Sequence, residues 1–548
     1  MIKFDSPLAA FLHWEKNTPD NIFLRQHIDG KLKTYTYKES GEEARRIASA
    51  INTYNFPSQS KIALLSKNCA HWMLSDLAIM MSGHVSVPIY PTLKAETIQY
   101  VLEHSEAKAI ILGKLENYES QKSAIVGIPK ISISMYGVND GNTWEELLKQ
   151  HEPIQNPPKL EPKNLITIIY TSGTTGKPKG VMHTVSNFTN ASNQFLENLN
   201  MPEHPKFFSY LPLSHIAERI GIEIGGFYRG ASITFSESLP TFASNLEATQ
   251  PDLFFAVPRI WAKFQEKILQ GMPQKKLNTL LRLPIIGSIV KKKIKKKLGL
   301  SKAVLIFSGA APIASSLVRW YKKLGITILQ GYGMTEDCIL SHSNSMDTNK
   351  IGSVGKTNNG VKAKLGPDGE ICILNDSLMK GYYNNPEATA EAFDSEGYLR
   401  TGDIGEFDFD GFLTITGRAK DQFKTDKGKY IAPAPIELEL SKNTDIEQIC
   451  LVGMGIPQPI LLVVLSEIGK KKSNEDVSEC LIKAIKNINP TLEKHEKITK
   501  AVIMKDDWTV ENGLMTPTLK IKRSQVEKIH MPMYKTWFDA EESVVFIS

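Results

Sequence analysis

Hydroxyl groups, glycines and lysines are concentrated in one short stretch of this 548-residue chain. The stretch follows the apolar run 165–169, and its residues are Thr171, Ser172, Gly173, Thr174, Thr175, Gly176 and Lys177. Glycines let backbone N–H groups approach an anion closely, hydroxyl groups add hydrogen-bond donors, and lysines supply positive charge. The composition suits a bound oligophosphate, although a flexible surface turn can have the same composition.

The spacing of this stretch differs from that of the P-loop. A P-loop has four residues between its first glycine and the Gly-Lys pair, and then Ser or Thr. Here two residues separate Gly173 from Gly176, and Pro178 follows Lys177. If the stretch binds phosphate, it does so by a different arrangement.

Two later apolar runs, 304–307 and 326–330, predict buried strands. Each is followed by residues that could hold a flat ligand, namely Gly309, Ala310 and Ala311 after the first run, and Gly331 and Tyr332 after the second. Ligands bind at the carboxyl ends of parallel strands. Small residues at one strand end and an aromatic ring at the next could enclose a purine. A tight turn and a core tyrosine are the alternatives.

These motifs resemble those of the adenylate-forming enzymes, which include acyl-CoA synthetases, luciferases and the adenylation domains of peptide synthetases. The stretch 170–180 is similar to their phosphate-binding signature, and residues 332–336 match their [YF]-G-x-T-E motif. The segments 211–219 and 423–433 resemble the long-chain fatty acyl-CoA synthetase branch. The resemblance extends over nearly the full chain.

The resemblance implies a nucleotide site in which Tyr332 stacks on adenine, with Gly333 and Met334 beside it. It also implies that Thr335 contacts the α-phosphate and that Glu336 binds Mg²⁺. One carboxylate together with triphosphate oxygens is an ordinary ligand set for Mg²⁺. By the same resemblance Asp403 binds both ribose hydroxyls and Arg418 reaches the ribose and phosphate. A carboxylate suits the first task because it offers two acceptors to a diol.

The resemblance also implies a catalytic lysine and a hinge. Lys520 lies in a T-P-T-x-K segment typical of the long-chain branch, and Lys522 is the alternative because lysines are crowded there. Lys420 occupies the hinge position. Further residues follow from the same resemblance, with His215, Ile216 and Ile220 at the acyl pocket and Gly428, Lys429 and Tyr430 at the tunnel for CoA. His215 and Glu218 could instead form local hydrogen bonds at a helix start.

One departure from the family pattern lies close to the phosphate-binding stretch. Val185 stands where many members carry histidine. The chemistry needs no group that this change removes. We therefore expect an active ligase that uses ATP, Mg²⁺ and CoA to convert a long-chain fatty acid into acyl-CoA through acyl-AMP.

Two other functions are compatible with parts of the pattern. A fatty acyl-AMP ligase that loads an acyl carrier protein shares the first half-reaction. A non-catalytic scaffold that binds acyl groups or nucleotides would be expected to lack Thr335, Glu336, Asp403 or Lys520, and none of these is lost.

Predicted strands and helices alternate along the first part of the chain, as in the strand 61–65, the helix 70–81 and the strand 85–89. Such alternation predicts an α/β fold with parallel sheets flanked by helices. The resemblance implies a large N-terminal domain, residues 1–418, that binds ATP and the fatty acid. A small mobile α+β domain, residues 419–548, would carry Lys520.

Composition limits the cellular compartments in which the protein is expected. The 65 basic and 59 acidic residues leave a net charge of only +6. The five cysteines are scattered without a C-x-x-C pair, which argues against metal and disulfide frameworks and favours a reducing compartment. The N-terminus lacks an apolar signal core, and no apolar run reaches the roughly 20 residues of a spanning helix. We expect a cytoplasmic protein, either free or peripheral to the inner face of a membrane.

The segment 275–302 is rich in lysine and contains no acidic residue. The segment could be a solvated surface. It could also be a peripheral contact with an anionic membrane, because aliphatic residues alternate with the lysines. Nucleic acid is not expected as a partner, since no aromatic stacking platform or nucleic-acid-binding motif is present.

Overall fold

The computed structural model describes residues 2–171, 177–197, 201–516 and 519–547. The loop residues Ser172, Gly173, Thr174, Thr175 and Gly176 lie outside the described residues. The described residues form six β-sheets with helices between and around them. The α/β prediction is confirmed.

The largest sheet has eight strands and includes the strand that leads into the predicted phosphate-binding stretch. Six neighbouring strands pair in parallel, and two further strands at one edge are joined by antiparallel pairing. In spatial order the strands are Gly381–Tyr382, Lys179–Thr184, Leu165–Thr171, Val85–Ile89, Lys61–Leu65, Ala109–Leu112, Lys130–Ser132 and Asn142–Thr143.

Two further sheets contain parallel strands. The first has three parallel and two antiparallel strands, in the order Leu253–Ala256, Leu305–Ser308, Leu329–Tyr332, His342–Ser343 and Lys356–Thr357. The second contains Lys206–Ser209, Ser232–Phe235, Ile22–Ile28 and Lys31–Thr36.

A fourth sheet is wholly antiparallel, which the alternating pattern does not predict. Its strands are Lys362–Leu365, Glu370–Leu374, Leu399–Phe407 and Leu413–Arg418. Short turns join the first two and the last two of these strands, whereas residues 375–398 connect the middle two, and Gly411 adopts a φ of +80° in the last turn. Glycine tolerates this left-handed conformation, so two adjacent strands can pair directly without a crossover helix.

The C-terminal part builds its own sheet and cores. Its four strands are Ile446–Val452, Ile460–Leu465, Lys500–Ile503 and Val544–Phe546, and a small hairpin joins Phe423–Lys424 to Tyr430–Ile431. Apolar residues on the two faces of the four-stranded sheet belong to separate hydrophobic clusters. The boundary at residues 418 and 419 and the mobility of this part stay predictions.

Helices fill the spaces around the sheets. Helix Ala70–Met81 is buried on all sides, as its almost continuously apolar sequence requires. Short 3₁₀ turns apart, the helices are Pro7–Asn17, Tyr37–Asn52, Ala70–Met81, Ala95–Ser105, Tyr118–Gln121, Trp144–Gln150, Val185–Glu197, Ile216–Glu218, the π-helix Arg219–Ile224, Gly225–Arg229, Phe242–Thr249, Pro258–Gly271, Gln274–Arg282, Pro284–Lys297, Ser315–Lys323, Pro386–Ala392, Pro433–Leu440, Asn474–Ile488, Arg523–His530 and Tyr534–Asp539. Across the described ranges, no helix combines the length and apolar character needed to cross a membrane.

Candidate active site

Two parallel strands place the small residues and the aromatic ring at their neighbouring carboxyl ends. Strand Leu305–Ser308 ends at Gly309, and its neighbour Leu329–Tyr332 ends with Gly331 and Tyr332. A Cβ atom at Gly309 would lie 3.0 Å from the Gly331 carbonyl oxygen, so glycine allows the two strand ends to approach closely. Ala310, predicted with Ala311 for the same site, has a φ of +65° that redirects the chain.

Asp403 connects this strand edge to the antiparallel sheet. It lies opposite Arg418 in register, and Arg418 Nε donates to Asp403 Oδ1 at 2.6 Å. The Tyr332 hydroxyl donates to Asp403 Oδ2 at 2.7 Å. The negative charge of Asp403 raises the pKa of Arg418. Three residues that were predicted for one nucleotide are therefore in direct contact.

Thr335 and Glu336 follow this edge in a turn that is held by other strands. Gly333 is required there, since a Cβ atom would lie 2.4 Å from Ile339 Cα. The Tyr382 hydroxyl donates to Glu336 Oε1 at 2.8 Å. This contact orients the carboxylate and leaves the Oε2 atom of Glu336 for another partner.

The donor set around Glu336 fits a magnesium ion that is also bound by nucleotide phosphates. Among the described residues, no group of three or more His, Cys, Asp and Glu side chains could hold a metal by itself. Mg²⁺ usually takes one or two carboxylates and completes its shell with phosphate oxygens and water. Glu336 alone is therefore sufficient as the protein ligand in such a site.

His183 contacts the backbone of the same turn, and neither it nor Tyr382 is predicted from the sequence. Its ring Nε2 lies 2.7 Å from the Thr335 carbonyl oxygen and donates to it. Burial lowers the pKa of His183 to about 4, so the ring is neutral near pH 7. In the structure His183 lies buried on strand Lys179–Thr184. In the sequence, only its position two residues before Val185 marks it.

Two hydrogen bonds join Lys520 to Thr516. The Thr516 N–H donates to the Lys520 carbonyl oxygen at 2.8 Å, and the Lys520 N–H donates to Thr516 Oγ1 at 3.1 Å. Leu519, between them, has a φ of +62°. These two bonds restrain the backbone from which the Lys520 side chain projects.

The Lys520 ammonium group lies within electrostatic range of the Asp403–Arg418 pair. The residue is accessible to water, yet protein atoms surround its amino group. This burial, and then the positive charge of Arg418, lower the pKa of Lys520 to about 8, while Asp403 opposes the shift. The charge of Lys520 also contributes to the low pKa of His215, which is about 3 mainly because of burial.

Lys522 has different surroundings. Burial lowers its pKa, and the positive charge of Lys94 adds to this shift. Neither Asp403 nor Arg418 affects the pKa of Lys522 in the way that they affect the pKa of Lys520. This difference supports Lys520 over the alternative lysine.

The predicted acyl-pocket residues lie in and beside a short helical segment. His215 caps it, since its Nδ1 accepts from the Ala217 N–H at 3.2 Å, and Ile216 and Ile220 are buried in the main hydrophobic cluster. Glu218 accepts from Ser209 Oγ at 2.8 Å. The His215 contact is a local hydrogen bond, as in the alternative interpretation, whereas the partner of Glu218 lies nine positions away. The acyl-pocket role stays a prediction.

The remaining predicted residues lie farther along the chain. Thr171 ends its strand, and the Lys177 amino group lies 5.1 Å above the centre of the Tyr100 ring. In the C-terminal part, Gly428, Lys429 and Tyr430 form an exposed turn in which the Thr425 N–H donates to the Lys429 carbonyl oxygen at 3.0 Å. Lys420 is exposed in the 3₁₀ turn Ala419–Asp421. The CoA-tunnel and hinge roles stay predictions.

An ion pair joins the two parts of the chain in this conformation. Arg259, on helix Pro258–Gly271, donates from Nε to Glu447 Oε1 at 2.7 Å. Arg259 Nη1 lies 3.5 Å from the sulfur of Met515, five residues before Lys520. The pair is thus one contact between the two parts of the chain in the conformation in which Lys520 lies near Asp403.

Comparison with known proteins assigns the chain to a family. The family model of the AMP-binding enzymes matches residues 11–383, and that of the AMP-binding enzyme C-terminal domain matches residues 420–539. The chain therefore belongs to the AMP-binding enzyme family.

Relatives of this chain are similar over almost their whole length. The long-chain-fatty-acid–CoA ligase FadD15 of Mycobacterium bovis is 27% identical, and the match covers 95% of each chain. Long-chain-fatty-acid–CoA ligase 5 of Rattus norvegicus is 30% identical, over 93% of this chain and 85% of the relative. Among solved structures, the A-PCP didomain of a carboxylic acid reductase from Segniliparus rugosus, in complex with AMP, shares the fold. Its TM-score is 0.81 at 20% identity, with coverage of 97% and 82%.

Proposed function

We propose that this chain is an ATP-dependent ligase that joins a long-chain fatty acid to CoA through an acyl-AMP intermediate. The family supports this proposal, as do the two relatives that are named long-chain-fatty-acid–CoA ligases. The observation that carries it is the placement of Lys520, from the C-terminal part, within electrostatic range of the contacting residues Asp403, Arg418 and Tyr332.

In the first step an oxygen of the fatty-acid carboxylate attacks the α-phosphorus of ATP. The bond from that phosphorus to the bridging oxygen breaks, acyl-AMP forms and pyrophosphate leaves. Negative charge builds on the α-phosphoryl oxygens, and a preorganised cation stabilises it. Lys520 supplies this cation, since its ammonium form predominates below about pH 8. Thr335, held through its carbonyl oxygen by His183, contacts the same phosphate.

Glu336 would hold Mg²⁺ together with the triphosphate. When bound, the ion neutralises part of the negative charge of the phosphates. Tyr382 keeps the Glu336 carboxylate in place by donating a hydrogen bond to Oε1. The stretch Thr171 to Lys177 supplies further donors to the phosphates.

In the second step the CoA sulfur attacks the acyl carbon, the bond from that carbon to the AMP oxygen breaks, and the thiol proton is released. The domain 419–548 swings about Lys420 between the steps. This motion withdraws Lys520 and brings Gly428, Lys429 and Tyr430 to line the path of CoA. His215, Ile216 and Ile220 border the acyl chain.

The scattered cysteines support a reducing compartment such as the cytoplasm.

An acyl carrier protein is the alternative acceptor, because loading of a carrier shares the first step. A non-catalytic scaffold is disfavoured by the retention of Thr335, Glu336, Asp403 and Lys520.

One assay separates these functions. Purified protein is given Mg·ATP and acids from acetate to stearate, and pyrophosphate release is measured without an acceptor, with CoA, and with an acyl carrier protein. We expect release that is highest with long-chain acids and is sustained only when CoA is added. Turnover with the carrier protein but not with CoA would establish the alternative. Absence of pyrophosphate with every acid would contradict ligase activity.

Asp403→Ala is expected to weaken ATP binding far more than fatty-acid binding. The two proposed hydrogen bonds from the ribose go to a charged acceptor and contribute about 1.5–3 kcal/mol each, so ATP affinity should fall on the order of 10²-fold or more. Calorimetric titration with each substrate tests this. Asp403→Asn is the matched variant, because it keeps the side-chain shape and one acceptor for Tyr332. An equal loss of both affinities, with a lowered melting temperature, would instead indicate a folding defect.

A further inference from the structure

Helices Gln274–Arg282 and Pro284–Lys297 form a pair that projects one strongly basic surface, here called the basic hairpin (residues 274–297). No acidic residue occurs from 271 to 302. The hairpin carries nine cationic side chains, which are Lys275, Lys276, Arg282, Lys291, Lys292, Lys293, Lys295, Lys296 and Lys297. In the part of the chain that the structure describes, its only ion pair joins Lys297 to Glu247 at 3.2 Å. The positive charge of this surface is therefore largely uncompensated by the protein.

Large aliphatic side chains are exposed at the tip of the basic hairpin. Leu283, Ile285, Ile286 and Ile289 are 43%, 77%, 45% and 60% exposed. These four exposed aliphatic residues lie within seven positions of one another, whereas isolated exposed aliphatics are common on proteins. The sequence left open whether these residues pack on the protein's own core. The structure shows that they do not.

The opposite side of the basic hairpin is anchored. Leu277 is buried, and Leu281, Val290 and Ile294 pack against the same hydrophobic cluster of the N-terminal part. The Trp320 indole N–H donates to Gln274 Oε1 at 2.8 Å. The hairpin is thus held in a fixed orientation, with the aliphatic tip directed away from the protein.

The second helix carries both isoleucines and lysines on one of its faces. Ile285, Ile289, Lys292 and Lys296 are spaced by four, three and four residues and therefore share one face. Isoleucines occupy the start of this face and lysines its end. Lysine stems can lie along apolar surface while their ammonium groups reach polar headgroups.

We propose that the basic hairpin docks on an anionic lipid bilayer, with Leu283, Ile285, Ile286 and Ile289 entering the headgroup boundary and the lysines facing acidic headgroups. Charge complementarity selects this partner. A second copy of the chain that docked through its own basic hairpin would present the same positive charge and be repelled. A nucleic acid would leave the aliphatic tip in water, and the hairpin has no aromatic side chain for base stacking. The inference does not depend on the proposed ligase activity.

The test is co-sedimentation of the full chain with liposomes of phosphatidylcholine, alone or mixed with phosphatidylglycerol. Each lysine near an anionic surface strengthens binding about fivefold, and the attraction fades beyond about 8–10 Å at physiological salt. We expect binding to the mixed liposomes only, with a decrease as salt is added. Replacing Lys291, Lys292, Lys293, Lys295, Lys296 and Lys297 with glutamine should lower affinity by at least about 10²-fold.

A matched variant controls for net charge. Lys108, Lys149, Lys159, Lys163, Lys483 and Lys486 are exposed, lie outside the basic hairpin and make no ion pair in the described residues. Their replacement by glutamine removes the same charge and should leave most liposome binding intact. A second variant, with serine at Ile285, Ile286 and Ile289, should bind mixed liposomes more weakly although every lysine remains.

Three outcomes would overturn the proposal. Equal loss in the hairpin and matched variants would attribute binding to net charge. Wild-type sedimentation that is indifferent to acidic lipid would exclude the bilayer contact. If the hairpin variant lost binding to a mixed-sequence RNA but bound liposomes as the wild type does, nucleic acid would be identified as the partner. Octanoate turnover, measured without liposomes, should be the same in all variants, so failure of the ligase proposal would be seen separately.

Discussion

Lys520→Ala is expected to slow acyl-AMP formation by about 10²–10³-fold, because removal of one group that stabilises transition-state charge typically has this effect. Conversion of preformed acyl-AMP into acyl-CoA should remain near normal, since Lys520 is withdrawn before that step. Single-turnover release of pyrophosphate measures the first step. Mixing isolated acyl-AMP with CoA measures the second.

Lys522→Ala is the matched control for this experiment. It removes the same type of side chain two residues away, where the Asp403–Arg418 pair does not shift the pKa of the lysine. It should leave both steps within a few-fold of the wild type. Normal acyl-AMP formation in Lys520→Ala together with its loss in Lys522→Ala would reverse the assignment of the catalytic lysine.

Local elements of the fold could be predicted well from apolar runs and their boundaries. The strands 61–65 and 85–89 and the helix 70–81 have the predicted bounds. The predicted strand 326–330 is instead Leu329–Tyr332. Ile326 and Ile328 are buried but precede the pairing of Phe307 with Leu329. An apolar run predicts burial, whereas a strand begins only where a neighbouring strand offers hydrogen bonds.

Site residues that belong to sequence motifs could be predicted. Residues that join the site only through contacts with distant parts of the chain could not. Tyr332, Asp403 and Arg418 were predicted individually, and the structure shows their contacts. Tyr382 and His183 reach the motif from positions 46 and 152 residues away from their partners, so no local spacing indicates them. The ion pair between Arg259 and Glu447 likewise depends on how the two parts of the chain are placed.

That placement has a consequence for the hinge. In the conformation that the structure describes, Lys520 lies within electrostatic range of Asp403, as our proposal for acyl-AMP formation requires. Lys420 is the second residue of the 3₁₀ turn Ala419–Asp421. Such turns have φ values of about −50° to −70°, close to the value of about −65° that proline imposes. Proline at position 420 is therefore compatible with this conformation.

Lys420→Pro is expected to retain acyl-AMP formation and to lose thioester formation. Proline locks the φ angle that the domain swing must change, so the CoA-binding turn cannot reach the acyl-AMP. Even a misplacement of about 1 Å can lower a rate 10²-fold, and the second step should fall at least about that much. Ala419 precedes the new proline within a helical turn, which is mildly unfavourable, so a modest loss of stability should accompany the change.

The two half-reactions of this variant are measured separately, with Lys420→Ala as the control that removes the side chain but keeps a free φ angle. Lys420→Ala should perform both steps near the wild-type rates, which would assign the Lys420→Pro effect to the backbone and not to the lost charge. If both steps of Lys420→Pro fall by the same factor while its melting temperature is preserved, the hinge lies elsewhere. If only the thioester step is lost, one pose of the C-terminal domain suffices for adenylation and a second pose is required for transfer to CoA.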